Sequence, residues 1–104
     1  MKSRQLTVVR IYIREGEHIL NKLIRFLHEE QNISGLTVLR GVLGFGDSGQ
    51  LHPASLVDLS LDLPLVVEFF EEPERAQQVI KKVIECFGLV HVVCWPATGW
   101  VTEG

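Results

Sequence analysis

Four strand-like segments alternate with two helix-like segments, and this order permits few folds. The strand-like segments are Leu6 to Ile13, Leu36 to Val42, Leu63 to Phe70, and Leu89 to Trp95, which Pro96 is expected to end. Apolar residues recur at helical spacing from Glu17 to about Gln31 and again from Pro73 to Phe87, before a glycine cap at Gly88. The order β-α-β-β-α-β predicts an α+β, ferredoxin-like fold, in which two helices cover one face of a four-stranded antiparallel sheet.

Length and composition exclude several functional classes. The chain has 104 residues, 46% of them apolar, which suits one domain covering residues 1–104. The formal net charge of -3, without a lysine or arginine run, argues against nucleic acid as the main partner. No apolar run approaches membrane-spanning length, and the segment from Met1 to Gln5 lacks the features of a secretory signal. We therefore expect a cytoplasmic protein that does not itself span a membrane.

Both faces of the predicted sheet are apolar. On the third strand Leu65, Val67 and Phe69 alternate with Val66 and Phe70. The last strand similarly offers Leu89, Val93 and Trp95 on one side and Val90, Val92 and Cys94 on the other. Two helices cannot cover both faces, so we expect a second copy of the chain to cover the open one.

Each predicted strand also carries one polar side chain within an otherwise apolar run: Arg10, Arg40, Glu68 and His91. With the strand order four, one, three, two, a plausible register places all four in a row across one face. Such a row indicates either an ion-pair network inside an interface or a ligand-binding or proton-sensing site. For Arg10, Glu68 and His91 the interface is the favoured interpretation.

The stretch from Arg40 to Gly49 carries the most information about function. Its glycines permit close approach of backbone N–H groups to an anion, and the arginine adds a charged fork of donors. It lacks the Gly-Lys-Ser/Thr ending of a P-loop and does not lead into a helix. Glycines also serve purely structural loops, so anion binding and a structural role are equally compatible with this stretch.

Metal binding and catalysis have weaker support in the sequence. The histidines and the two cysteines, Cys86 and Cys94, form no close pair of good geometry, and both thiols are expected to be reduced and packed. No nucleophile motif is present. His52 and Glu68 are the only side chains that suggest a small enzyme, and the chain is predicted not to be one.

The sequence resembles the domain-of-unknown-function-190 family, also called UPF0166, whose members are PII-like signalling proteins. The resemblance covers nearly the whole chain. It rests on Leu39-Arg40-Gly41-Val42-Leu43-Gly44-Phe45-Gly46, on the following Leu51-His52, and on the run from Asp58 to Glu68.

The resemblance implies a homotrimer that binds an adenine nucleotide (AMP, ADP or ATP) in clefts between subunits and requires no cofactor. The ligand-binding residues it implies are Arg40, Gly41, Gly44, Phe45, Gly46 and His52. The connection of about residues 44–62 corresponds to a long T-loop, expected to be partly mobile, that reports occupancy to an unidentified regulated protein, for which a membrane transporter is one candidate. By analogy, the loop around Gly88 completes the cleft, although it carries no basic residue. A metal-handling trimer similar to the CutA proteins is the alternative of the same fold.

Overall fold

The computed structural model describes residues 1–42, 44, 63–89 and 91–102. Its strands are β1 (Lys2–Arg14), β2 (Thr37–Arg40), β3 (Pro64–Glu71) and β4 (Val92–Val101). A 3-10 turn at Glu15–Glu17 follows β1, α1 spans Leu20–Arg25 and continues as a π-helical turn at Phe26–Glu30, and α2 spans Pro73–Phe87. The predicted order of strands and helices is confirmed.

The four strands form one antiparallel sheet in the order β2-β3-β1-β4, as predicted. The two central strands, β1 and β3, pair from Thr7 opposite Glu71 to Arg14 opposite Pro64. Strand β4 pairs with the whole length from Lys2 to Ile11. Consequently β2 and β4 are the two edges of the sheet, and Lys2 to Leu6 pairs with β4 alone.

The core lies between one face of the sheet and the two helices. The buried sheet residues of the central strands alternate in sequence, as expected for a strand with one covered face: Val9, Ile11, Ile13, Leu65, Val67 and Phe69. The helices and their connections contribute the remaining buried apolar side chains of this cluster: Leu23, Leu27, Ile33, Ala76, Val79, Val83 and Leu89. Both helices therefore cover the same face.

Local signals explain where the helices begin and end. Pro73 occupies the first turn of α2, where a missing N–H costs no helical hydrogen bond. Gly88 ends the helix with a φ of 63°, and its N–H donates to the carbonyl of Ile84. Asn32, with a φ of 55°, has the same left-handed conformation just beyond the first helix. The guanidinium of Arg75 donates to the carbonyl of Gln31, which ties the start of α2 to the end of the first helix.

The predicted end of the last strand at Pro96 is wrong, because β4 continues to Val101. The N–H of Tyr12 donates to the carbonyl of His91, and hydrogen-bonded and non-hydrogen-bonded pairs alternate along an antiparallel ladder. Thr7 and Pro96 are therefore a non-hydrogen-bonded pair, in which position 96 needs no N–H toward β1. Proline is tolerated there because β4 is an edge strand.

The expected packing of the two cysteines is also wrong. Both Cys86 and Cys94 are free and exposed. Cys86 lies outside the buried stripe of α2, and Cys94 lies on the outer strand, where Gln77 Nε2 is 3.7 Å from its sulfur. The position of β4 at the sheet edge leaves Cys94 incompletely covered by α2.

Candidate functional site

One end of the sheet brings together the end of β1, the end of β2 and the start of β3. Arg40 is the last residue of β2, and Nη2 of its guanidinium lies 2.5 Å from Oε1 of Glu15. The Arg40 side chain is 64% exposed, whereas that of Glu15 is 20% exposed. The backbone of Glu15 is held in place because its N–H donates to the carbonyl of Leu63. A cation with most of its surface in solvent thus stands at the base of the glycine-rich stretch.

A second ion pair joins Arg14 and Glu17, which flank Glu15 in the sequence. Arg14 Nε is 3.5 Å from Oε1 of Glu17, and the same carboxylate oxygen accepts a hydrogen bond from the Arg14 N–H. The side chain of Arg14 is 62% exposed. Two arginines and two glutamates therefore meet at this end of the sheet, and an added anion must compete with carboxylates for the arginines.

Gly41 and Gly44 pack against Pro64, the first residue of β3. A Cβ atom at Gly41 would lie 2.6 Å from Cγ of Pro64, and one at Gly44 would lie 3.0 Å from the same atom. The Gly41 N–H donates to the Pro64 carbonyl at 2.7 Å, so it is engaged in the sheet. The close approach of Pro64 explains why both positions are glycine. Because the Gly41 N–H is already bonded to the Pro64 carbonyl, a backbone N–H that contacts an anion must belong to a residue after Gly41.

The predicted site residues are only partly within the described part of the chain. Arg40, Gly41 and Gly44 lie together at the sheet end. Phe45, Gly46 and His52, and with them most of the predicted connection of residues 44–62, lie outside the described residues.

The turn at Gly88 lies at the same end of the sheet as Arg40 but at the opposite edge. Gly88 follows α2 and precedes β4, whereas Arg40 ends β2. Three spacings between neighbouring strands separate these edges, a distance of about 14 Å. Within one chain the two segments face different sides of the molecule. A Cβ atom at Gly88 would meet nothing within 4 Å, so that turn is open.

The predicted row of four polar residues is only partly correct. Arg10 is directly opposite Glu68, as expected. The neighbours of this pair are Thr37 on β2 and Val93 on β4, in the places expected for Arg40 and His91. Arg40 pairs with the buried Leu65, which puts it on the helix-covered side at the sheet end and away from Glu68. An odd separation of three residues between Thr37 and Arg40 accounts for the change of face.

Arg10 and Glu68 form a second charged cluster at the middle of the open face. Arg10 Nε donates to Oε1 of Glu68 at 2.7 Å, and the two side chains are 34% and 31% exposed. The guanidinium also lies over Trp95, 5.5 Å from the ring centroid. The hydrogen bond to Glu68, supported by the Tyr12 side chain, raises the pKa of Arg10 above its usual value. Arg10 is therefore charged at neutral pH.

Metal and membrane sites receive no support from the described residues. Among them, no three histidine, cysteine, aspartate or glutamate side chains are grouped closely enough to hold a metal ion. His52, the other residue of the suggested small enzyme beside Glu68, falls outside this part of the chain. None of the helices that the structure describes is long and apolar enough to cross a membrane.

Comparison of the sequence with known families matches residues 6–98 to the DUF190 family, described as "Uncharacterized ACR, COG1993". The chain belongs to the DUF190 family. It is similar to a UPF0166 protein of Aquifex aeolicus, with 34% identity over 83 residues covering 77% of this chain and 81% of the relative. It is also similar to a UPF0166 protein of Methanocaldococcus jannaschii, with 30% identity and 75% of each chain covered.

Solved structures share the fold of this DUF190 chain. A PII-like signalling protein from Thermus thermophilus aligns with a TM-score of 0.61 at 20% identity, covering 97% of this chain and 93% of that one. CPII from Thiomonas intermedia, solved with ADP and bicarbonate, aligns with a TM-score of 0.62 at 16% identity, covering 98% and 93%. The predicted PII-like, ferredoxin-like fold is thereby confirmed.

Glu15 and Trp95 are two residues of these clusters that the sequence did not assign to a site; Arg14, Glu17 and Tyr12 are the others. Glu15 was indicated only as part of a turn, and its contact with Arg40 depends on the pairing of three strand ends. Trp95 was indicated only as an apolar strand residue. Its place beside Arg10 follows from the register, in which Trp95 is opposite Val8 and Val93 is opposite Arg10.

Proposed function

We propose that this chain is a PII-like regulatory protein that binds an adenine nucleotide or a similar anionic small molecule beside Arg40. The observation that carries the proposal is the exposed guanidinium of Arg40, placed at the end of β2 where Gly41 and Gly44 turn over Pro64. Arginine is suited to phosphate because its donors form a fixed planar fork. Phe45, Gly46 and His52 complete the proposed site.

The proposed site is shared between subunits of a homotrimer. In one chain Arg40 and the turn at Gly88 lie at the same end of the sheet but at opposite edges. A cyclic arrangement of copies brings the β2 edge of one copy toward the β4 edge of the next. This arrangement gives the ligand two walls that one chain cannot supply by itself.

Exposed apolar residues on the open sheet face support self-association. On this face Phe70 is 57% exposed, Val93 46% and Leu39 44%. They belong to three different strands, so they extend the patch across the sheet. An apolar surface of this breadth is characteristic of interaction sites, and another copy of the same face is an occupant of matching character.

In this proposal the connection of residues 44–62 reports ligand occupancy to a regulated partner in the cytoplasm, and the chain carries out no catalysis. The fold is also that of CPII, which has been solved with ADP, AMP and acetate, and this supports nucleotide as the ligand class.

Calorimetric titration with AMP, ADP and ATP tests the ligand, and light scattering at micromolar protein tests the trimer. We expect saturable binding by at least one nucleotide, accompanied by a higher melting temperature, because a ligand specific for the folded state stabilises it. Adenosine serves as the control ligand, since it lacks the phosphate that Arg40 would contact. Equal binding of adenosine and the nucleotides, or no binding of any of them, contradicts the proposal.

A further inference from the structure

The charged pair Arg10–Glu68 occupies the centre of a mainly apolar surface that also carries Thr37, Tyr12 and His91. The two residues belong to the two inner strands and face each other directly. The row on one side of them consists of Leu39, Val66, Tyr12 and His91, and the row on the other consists of Phe70, Val8 and Trp95. Covering this face with another molecule would remove the pair from water together with its apolar surroundings.

Each member of the pair keeps bonding capacity after the contact within the chain. The direct contact uses one guanidinium nitrogen, Nε of Arg10, and one carboxylate oxygen, Oε1 of Glu68, and the guanidinium also has a hydrogen bond to the Tyr12 side chain. A guanidinium has five N–H donors and a carboxylate accepts about four hydrogen bonds. Loss of water from this surface requires new partners for these atoms, because buried charges without partners are strongly destabilising.

A second copy of the same chain supplies those partners with matching charge. The face presents one cation and one anion at its centre, so the cation of one copy can meet the anion of the next, as the head-to-tail contacts of a cyclic trimer require. Trp95 lies beside the guanidinium and keeps it within the surface, since the ring centroid is 5.5 Å from Cζ of Arg10.

We propose that in the assembled protein Arg10 of each copy pairs with Glu68 of the next copy as well as with its own. The inference rests on the homotrimer of the proposed function. It adds that the Arg10–Glu68 pair determines how the open sheet faces of neighbouring copies align. Charges then alternate around the junction, and a copy shifted in register meets like charge. The pair is thus a specificity determinant for self-assembly, a role attested for buried polar groups in other assemblies.

A charge-swapped chain separates this role from a contact within one subunit. The double variant R10E/E68R restores an opposite-charge pair inside each chain and between identical chains. At a junction between the swapped and the wild-type chain, however, arginine meets arginine and glutamate meets glutamate. We therefore expect each chain to assemble with itself and not with the other.

Isotope-labelled wild type and unlabelled double variant are unfolded together, refolded and examined by native mass spectrometry. Separate homo-oligomers support the proposal, whereas mixed oligomers in random proportions overturn it while leaving the trimer itself intact. A wild-type monomer instead contradicts the proposed trimer. A folded double variant that stays monomeric beside an oligomeric wild type also overturns the inference. Wild type mixed with K81E is the control, since Lys81 is an exposed residue of α2, and it should mix freely.

The single variants provide a second measurement if the double variant does not fold. R10E carries two acidic groups at the centre of its face, and E68R carries two basic groups. Each alone should lose assembly by charge repulsion at all three junctions. A mixed trimer has two junctions of opposite charge and one of like charge, so the mixture should assemble more than either variant alone, into trimers that contain both chains. Recovery of assembly on mixing supports contact between chains, because neither variant retains the pair within its own chain. A mixture that assembles no more than either variant alone contradicts it.

Discussion

Arg40 and Glu15 form an ion pair across two strand ends, with Nη2 of the arginine 2.5 Å from Oε1 of the glutamate. The arginine is the residue assigned to ligand phosphate, so its present partner is a competitor for the same donors. Because Arg40 is much more exposed than Glu15, the guanidinium is the member of the pair that an anion can reach from solvent.

Replacing Glu15 with glutamine should strengthen nucleotide binding. The neutral amide releases Arg40 from its carboxylate partner, and exposed ion pairs contribute about 0.2–1 kcal/mol. The gain corresponds to roughly a 1.4- to 5-fold lower Kd, measured by calorimetry. Glu85→Gln, on the exposed side of α2, is the matched control and should leave Kd unchanged. Weaker binding by Glu15→Gln would instead assign Glu15 to holding Arg40 in position.

Arg40→Ala should weaken nucleotide binding by about 1.5–3 kcal/mol, the range for hydrogen bonds to charged groups. The melting temperature should change little, since the Arg40 side chain is 64% exposed and its partner is not Glu68. Affinity and melting curves on the same preparation give both values. Arg25→Ala, an exposed arginine of α1, controls for the loss of charge. Unchanged affinity would remove Arg40 from the site.

Gly41→Ala should destabilise the fold, because its Cβ would lie 2.6 Å from Cγ of Pro64. Relief requires movement of the proline ring or of the strand end, and such overpacking costs about 1–3 kcal/mol. Gly35→Ala is the matched control, since nothing lies within 4 Å of its added Cβ. We expect a lower melting temperature for the first variant only, at equal protein concentrations. Equal melting temperatures of the two variants would mean that the strand end accommodates the added Cβ atom without loss of stability.

Gly88→Ala should also destabilise the chain, for a different reason. Nothing would touch the new Cβ, but the φ of 63° is unfavourable for any residue with a Cβ atom. The cost is about 1–2 kcal/mol. Gly88→Asn should lose less stability, because asparagine adopts this conformation more readily. Urea unfolding of both variants and the wild type measures their free energies of unfolding, which should decrease from the wild type to Gly88→Asn to Gly88→Ala.

The sequence was sufficient to sort the strand residues into two faces, because period-two alternation fixes which residues share a face. The strand order followed from the predicted βαββαβ fold, of which it is the usual order. Val67 and Phe69 were assigned to one face and Val66 and Phe70 to the other, and the register agrees. The opposition of Arg10 and Glu68 followed from the same alternation together with the correct strand order.

The extent of β4 and the position of Arg40 could not be predicted in the same way. Whether Pro96 ends a strand depends on the phase of the hydrogen-bonding ladder with β1, which only the register supplies. Arg40 was placed beside Glu68 because the register of β2 was unknown, and a shift of one residue exchanges the two faces. Its partner Glu15 is close only because three strand ends meet.

The open sheet face provides the last prediction, in which Phe70→Ser should lower the mass of the assembly and leave each subunit folded. Phe70 is 57% exposed in one chain, so its loss affects few contacts within the subunit. In the assembly it would be covered, and complete burial of a phenylalanine contributes about 1.5–3 kcal/mol per subunit.

Ile84→Ser is the matched control, because Ile84 is a 45% exposed apolar residue of α2, on the other side of the sheet. Light scattering over a dilution series should show dissociation of the Phe70 variant at concentrations where the wild type and the Ile84 variant remain assembled. Circular dichroism confirms that all three chains are folded. If the Ile84 variant dissociates and the Phe70 variant does not, the helices and not the open sheet face form the contact between copies.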